Sequence, residues 1–388
     1  MTLQFQRVRC ENRNTMVAEA LRLTGAILFL TFVTLVTIRT MTDKGRQRPG
    51  EKRDLVVYDQ SDCIRSPAHI SEDLQISRKR MIENIQLALG KLPDNSRKVP
   101  LEFCVTEQVE LEKVTRKKIL YTVEAGDRAT AYLLLPKGQT TQAPAMLCLH
   151  QTVTWGKDDV VGLNAKYPDQ RYARELAERG YVTLAPDAPG HGERMKCDPT
   201  ALGYESHAMK AMWDHMRAVD LLQSLPEVDP ERIGVIGHSM GGCGSLFVAT
   251  FDPRIKVIVQ SCGYSSFSAY ARKWGNLSRW SSFATAGALT TPRVSSVYHN
   301  DPTQMPFDFT ELIAALAPRP FFSNSPLHDE IFEKSGTDDC IQAARPVYDL
   351  FEAADSLVVV NPDCGHSFPE TVRKSAYEFL DRSFQRKP

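Results

Sequence analysis

From residue 117 onward the apolar positions switch repeatedly between the periods of strand and helix, about two and about 3.6 residues. Residues 118–123 and 130–135 alternate as half-buried strands around a turn at 124–127. The short run 145–150 is continuously apolar, as a strand covered on both faces must be. A helix at 170–179, a strand at 181–186 and a long helix at 207–225 follow, the last with Met209, Met212, Trp213, Met216, Val219 and Leu222 on one stripe. The series continues with strand 232–237, helix 241–250, strand 255–262, strand 320–324, helix 339–351, strand 357–361 and helix 370–384. Strands alternating with helices predict right-handed βαβ units in a mostly parallel sheet with helices on both faces, and a ligand site outside the strands' carboxyl ends.

Between 263 and 309 no period lasts and aromatic residues accumulate: Tyr264, Phe267, Tyr270, Trp274, Trp280, Phe283 and Tyr298. This insertion leaves directly from a strand's carboxyl end, so it is expected to cover the site like a cap. Its aromatics either wall a substrate, for which they offer large faces, or fill a small secondary core.

Ahead of the regular series, Leu74, Ile76, Met81, Ile82, Ile85 and Leu87 suggest an amphipathic helix over 71–89 that packs on the domain. Residues 40–65 are charged and poorly patterned, as in a linker. Residues 23–38 carry no charge between Arg22 and Arg39; as a helix they span about 24 Å. That length lies between a secretory h-region and a full span of ~20 residues, so a signal peptide and an uncleaved anchor both fit. Lys and Arg stand on both sides of the run and leave its orientation open. The expected organisation is a signal or anchor segment with linker at 1–53, an extension at 54–116 and a catalytic domain at 117–388, in an exported or membrane-anchored protein.

The 388 residues suit one large α/β domain with appendages. Lys+Arg and Asp+Glu number 47 each, which argues against a nucleic-acid partner, since phosphate binding needs surplus positive charge. The nine cysteines are scattered without a C-x-x-C pair, so neither a zinc ribbon nor a thioredoxin-type motif is present. No H-E-x-x-H, P-loop or strand-following G-x-G-x-x-G occurs, so neither metal nor cofactor is expected.

The sharpest chemical signal is Gly237-His238-Ser239-Met240-Gly241, lying between a β-type apolar run and a small-residue helix start. Such a strand–turn–helix lifts Ser239 into an exposed, strained conformation as a nucleophile, and the N–H of Met240 at the helix start can hold an oxyanion. A serine hydroxyl needs a base, oriented by a carboxylate, and in this arrangement acid and histidine follow the serine in that order. Of the histidines after Ser239, namely His299, His328 and His366, only His366 follows the last strand directly, in Asp363-Cys-Gly-His-Ser-Phe. The loop after strand 320–324 should supply the acid: Asp329 is preferred, with Glu330 and the pair Asp338 and Asp339 as alternatives. Gln151, just past strand 145–150, is the candidate second oxyanion donor, with Thr152 as its alternative. His191, in the stiff loop Asp187-Ala-Pro-Gly-His-Gly-Glu-Arg194, reads as structural.

These motifs, with Pro-Leu-His-Asp at 326–329, Cys-Gly-His-Ser-Phe-Pro at 364–369 and Ala-Leu-Ala-Pro-Arg-Pro at 315–320, resemble an α/β-hydrolase of the dienelactone-hydrolase and acetyl-xylan-esterase-like group over about 70–385. The resemblance implies an eight-stranded sheet, with the insertion after its sixth strand, an esterase-type triad and no cofactor. Dienelactone hydrolases use Cys where Ser239 stands, which favours the esterase side, and their His-Gly after the third strand is His150-Gln151 here. The expected function is cleavage of small-molecule or carbohydrate carboxylic esters through an acyl-enzyme, including deacetylation of carbohydrates. The alternatives are a serine peptidase of prolyl-oligopeptidase type, for whose propeller too few residues precede 117, and a non-catalytic binding protein on a hydrolase scaffold. Oligomeric state is not legible.

Overall fold

The structure, a computed structural model, describes residues 67–164, 166–282 and 291–385. The apolar run 23–38 lies outside the described residues, and among these no helix is long and apolar enough to cross a membrane.

Among the described residues nine strands form one sheet: β1 (Cys104–Glu110), β2 (Val114–Glu124), β3 (Asp127–Pro136), β4 (Ala143–Leu149), β5 (Val182–Pro186), β6 (Val228–His238), β7 (Ile255–Ser261), β8 (Phe321–Asn324) and β9 (Leu357–Val360), in the order β1-β2-β3-β5-β4-β6-β7-β8-β9. The first three strands and the β3–β5 pair are antiparallel, and β5 through β9 run parallel. The expected eight strands are therefore nine. The additional β1 is an edge strand with almost every residue exposed, so no apolar alternation marked it; pairing with β2 alone holds it. With β1 counted, the insertion follows the seventh strand in chain order.

β4 is buried along its whole length and divides its side chains between two cores. Ala145, Leu147 and Leu149 meet helices His207–Ser224 and Met240–Phe251 on one face, while Met146 and Cys148 meet helices Tyr172–Glu178 and Glu370–Ser383 on the other. The N-terminal helix is longer than the expected 71–89, running Pro67–Leu89. It buries Leu74, Met81, Ile85, Ala88 and Leu89, whereas Ile76 and Leu87, expected on the same stripe, are 54% and 52% exposed. Arg78 fastens it to the domain by donating from Nε to Ala315 O at 2.7 Å.

The insertion is more regular than its sequence pattern implied. It contains helices Phe267–Trp274, Ser278–Ser281 and Pro292–Ser296, then Phe309–Leu316, which starts at a capping box made by Asp308 and Glu311. Phe267 centres an aromatic cluster with Trp280 at 5.0 Å, Phe307 at 5.4 Å and Phe309 at 5.5 Å between ring centroids. Tyr264, Phe267, Tyr270 and Trp280 thus join the main core on the Leu147 face of the sheet and form no separate one, and Trp280 also lines the cavity beside Ser239; Phe283 lies outside the described residues.

Candidate active site

Ser239 caps helix Met240–Phe251 at the carboxyl end of β6 with φ 54° and ψ −118°, a region that L-residues enter only under constraint. The constraint is visible in its neighbours. Ser239 N–H donates to Ser261 O at the end of β7 (2.8 Å), and Cys243 N–H donates back to Ser239 O (2.9 Å). Strand and helix approach so closely that a Cβ on Gly237 would strike the Gly241 backbone, and one on Gly241 would strike Leu149 O. The glycines of the pentapeptide are there to permit this turn.

The structure joins two of the sequence-derived site residues directly. His366 Nδ1–H donates to both Asp329 oxygens, at 3.1 and 3.0 Å. Asp329 also accepts the backbone N–H groups of Ile331 (2.8 Å) and Phe332 (2.9 Å). Burial disfavours its charge, but the hydrogen bond and electrostatic attraction from the His366 ring, with the two N–H groups, hold the carboxyl below its usual range. The other acid candidates are occupied elsewhere. Glu330 accepts the backbone N–H of His366 at 3.2 Å. Helix Lys334–Leu350 starts before residue 339, so Asp338 and Asp339 lie within it, bonded to Lys334 and Ser266 respectively. Of the remaining histidines, His328 pairs with Asp363 on the surface, and His299 is exposed and lines no part of the site cavity.

His366 meets the nucleophile turn through His238, the residue before Ser239, with ring centroids 4.8 Å apart. Polar residues at the strand ends, unremarked in the sequence, hold this junction. Asn324, ending β8, donates to Ser261 Oγ (2.8 Å) and to Ser367 O beside His366 (2.9 Å). His238 Nδ1 lies 2.8 Å from the same Ser261 Oγ, and burial drives its pKa well down, leaving the ring neutral. The legible signal was position alone, since Ser261 and Asn324 are the last residues of their strands.

His150, Ser239 and Met240 line one cavity. His150 Nδ1 donates to Gln151 O (2.7 Å) and its Nε2 accepts Ala188 N–H (3.0 Å), which fixes a neutral tautomer; burial lowers its pKa. Gln151 follows it, its side-chain amide donating to the buried Asp159 at 2.8 Å. His191 is buried, with its ring 5.2 Å from that of His150. The loop carrying it is held by Asp187, which accepts Lys157 Nζ (2.7 Å), Lys157 N–H (2.9 Å) and Thr130 Oγ1 (2.7 Å).

Among the described residues, two groups of side chains have metal-ligand spacing. Cys262, Asp329 and His366 offer atoms within 4.8 Å of one another, but Asp329 and His366 bond each other, and burial keeps the Cys262 thiol protonated. Glu124, Asp127 and Asp214 are already neutralised by Lys210 at 2.8, 2.6 and 2.6 Å, and by Arg194. The described cysteines are free, and Cys243, in the cavity wall, has its thiol pushed up to about 12 by burial, so it does not compete as a nucleophile.

Known proteins resemble this chain in sequence and in fold. The family model for the dienelactone hydrolase family matches residues 129–273, and that for fungal glucuronyl esterase matches 203–352. "Putative hydrolase YtaP" of Bacillus subtilis is 29% identical over 303 residues, covering 76% of this chain and 95% of that protein. A 4-O-methyl-glucuronoyl methylesterase of Wolfiporia cocos is 27% identical over 181 residues, 44% of each chain, so the match spans less than half of that relative. Among solved structures, a glucuronoyl esterase from Solibacter usitatus superposes with a TM-score of 0.67 at 18% identity, over 86% of this chain and 98% of that one. With Ser239 on its turn after β6 and the Asp329–His366 pair at the ends of β8 and β9, the chain has the fold of α/β-hydrolase esterases and is similar in sequence to dienelactone hydrolase family and glucuronyl esterase proteins.

Proposed function

We propose that this protein is a serine carboxylic-ester hydrolase. Ser239 Oγ attacks the acyl carbon, His366 Nε2 takes the proton and returns it to the leaving alcohol, and Asp329 orients and stabilises the imidazolium. The backbone N–H groups of Gln151 and Met240 hold the oxyanion, and water then releases the acyl group from Ser239. The observation that carries the reading is the His366–Asp329 hydrogen bond beside a serine held at φ 54°. Esterase and hydrolase relatives support the reaction class.

A carbohydrate ester is the finer reading, supported by the glucuronoyl esterase and glucuronoyl methylesterase names of similar proteins. The test is a panel of simple methyl and acetyl esters, acetylated xylan, a methyl glucuronate and an Xaa-Pro amide, with Ser239→Ala as the blank. Ser239-dependent hydrolysis of at least one ester is expected. Amide cleavage without ester cleavage would move the protein to the peptidases, and a silent panel would leave the scaffold a binding protein.

A further inference from the structure

The cavity beside Ser239 runs between two helices, His207–Ser224, which contributes Ala208 and Met212, and Met240–Phe251, which contributes Met240, Gly244 and Phe247. These last three share a helix face, with Phe247 about two turns beyond Met240. His366 is not among the lining residues, although Phe332, whose ring centroid is 6.1 Å from that of His366, stands at the cavity's edge. The leaving alcohol must face His366 to receive a proton. An ester bound at Ser239 therefore directs its acyl group into the slot between the helices.

Among the described residues, the lining is almost wholly apolar and includes no Lys, Arg, Asp or Glu. Of its few polar side chains, His150 has both ring nitrogens engaged and Thr291 donates to Ser281 O at 3.4 Å. A carboxylate, or the several hydroxyls of a sugar acid, would give up water here for little in return, whereas each methylene gains by leaving water. The slot gives the centres of water-sized molecules about 50 Å³, room for roughly four of them or for a chain of about as many carbons.

Gly244 holds part of this space open. Glycine inside a helix is destabilising relative to alanine, so its presence asks for a reason. At Gly241 and Gly242 the reason is close backbone, since a Cβ would strike Leu149 O and Ser261 O. At Gly244 the nearest atoms to a Cβ belong to side chains, Leu149 Cδ1 at 3.3 Å and His215 Cε1 at 3.4 Å, and both residues line the same cavity. Gly244 is also half-buried where the other described lining residues are buried. Its bare backbone forms part of the slot's free surface, and a side chain there would narrow the slot.

We propose that the preferred substrates are esters of short alkanoic acids of about four carbons, with the alkanoyl chain in this slot and Gly244 as the specificity-determining residue that keeps it open. The proposal rests on the ester-hydrolase reading and deepens it: a carbohydrate, where one is part of the substrate, stands on the alcohol side.

The test compares kcat/KM of the full chain for methyl acetate, methyl butanoate, methyl hexanoate, monomethyl succinate and methyl glucuronate, followed by acid release at constant pH with Ser239→Ala as the blank. The native protein is expected to favour butanoate over acetate by about tenfold, the effect of burying two methylenes, and to favour it over the succinate and the glucuronate by about as much or more. In Gly244→Ala the butanoate-to-acetate ratio falls several-fold while acetate hydrolysis persists. Phe247→Leu, which shortens the far wall with an apolar residue, raises the hexanoate-to-butanoate ratio several-fold and decides the matter if Gly244→Ala does not fold. Butyl acetate separates the two ends of the ester: if Gly244→Ala depresses it relative to methyl acetate and leaves butanoate unchanged, the slot holds the alcohol and the proposal falls. It falls also if the native protein prefers acetate or a polar acyl group, or if both ratios are unchanged in the folded variants. Those results leave the ester-hydrolase reading standing, whereas absence of Ser239-dependent hydrolysis across these and the wider ester panel overturns that reading itself.

Discussion

His366 and Asp329 face each other with Nδ1 3.0 and 3.1 Å from the two carboxylate oxygens, although 37 positions separate them in the chain. The pair forms because β8 and β9 are parallel neighbours whose carboxyl-end loops are tied together, His328 N–H donating to Cys364 O and Ser325 N–H to Val360 O. If these residues act with Ser239 as a unit, Ser239→Ala and His366→Ala each lower ester kcat by several orders of magnitude. Asp329→Asn is expected to cost ~10⁴-fold, whereas Asp338→Asn, which touches only Lys334 on the surface, leaves kcat within about twofold of native. Steady-state kinetics on folded variants checks this, and near-native turnover in Ser239→Ala or His366→Ala would falsify the assignment.

Lys157 is 1% exposed and is paired with Asp187, whose carboxylate also anchors the loop that carries His191. Lys157→Met leaves that carboxylate buried without its cation, and a loss of ~3–5 kcal/mol is expected in urea unfolding. A loss below about 1 kcal/mol would show that the pair does not hold the loop.

Stability should fall on mild acidification. Burial pushes His191 and His215 down to about 4, so between an unfolded-state value near 6.5 and that figure the unfolded chain binds protons that the folded chain refuses. The stabilisation is complete above about pH 6.5 and is lost as pH falls toward 4, up to roughly 3 kcal/mol for each residue. Asp329, whose folded-state pKa is depressed, adds a loss only at more acidic pH, as its carboxylate protonates. Urea midpoints across this range should therefore decline, and His191→Gln should flatten the slope. A slope unchanged in His191→Gln would place the proton uptake elsewhere.

Trp280 lines the cavity and also packs edge-on to Phe267 at 5.0 Å, so one side chain belongs both to the cavity wall and to the core. Trp280→Ala is expected to destabilise by ~3–5 kcal/mol and to raise kcat/KM for bulkier acyl groups relative to small ones. Trp280→Phe should keep most of the stability while shifting selectivity the same way. Unchanged selectivity in the folded Phe variant would leave only the core role.

We propose that residues 1–53 direct the chain to a membrane or out of the cell and are dispensable for catalysis, since the sheet begins at Cys104 and the candidate site lies wholly beyond it. Cell fractionation of the full chain, against one beginning at Asp54, checks both parts. Equal activity with loss of membrane or exported protein is expected; an insoluble or inactive short chain would assign the segment to the fold.

Local pattern sufficed for much of this molecule. The switching apolar periods set the parallel sheet, because a buried strand and an amphipathic helix each need their own spacing whatever surrounds them. The pentapeptide around Ser239 was equally legible, since only glycine tolerates the close strand–helix contact at Gly237 and Gly241. The order of serine, acid and histidine along the chain then pointed to Asp329 and His366. What local pattern did not reveal depends on neighbours distant in sequence. β1 exists because β2 offers it an edge, not because its own residues are apolar. Asp329, rather than Glu330 or Asp338, meets the ring because the register of β8 on β9 brings that residue to Nδ1. His215 carries no signal in the sequence; only the packing of its helix beside Gly244 leaves its buried Nδ1 without a hydrogen-bond partner among the described residues. Periodicity is a property of adjacent residues, whereas hydrogen-bond satisfaction inside a cavity belongs to the whole packed chain.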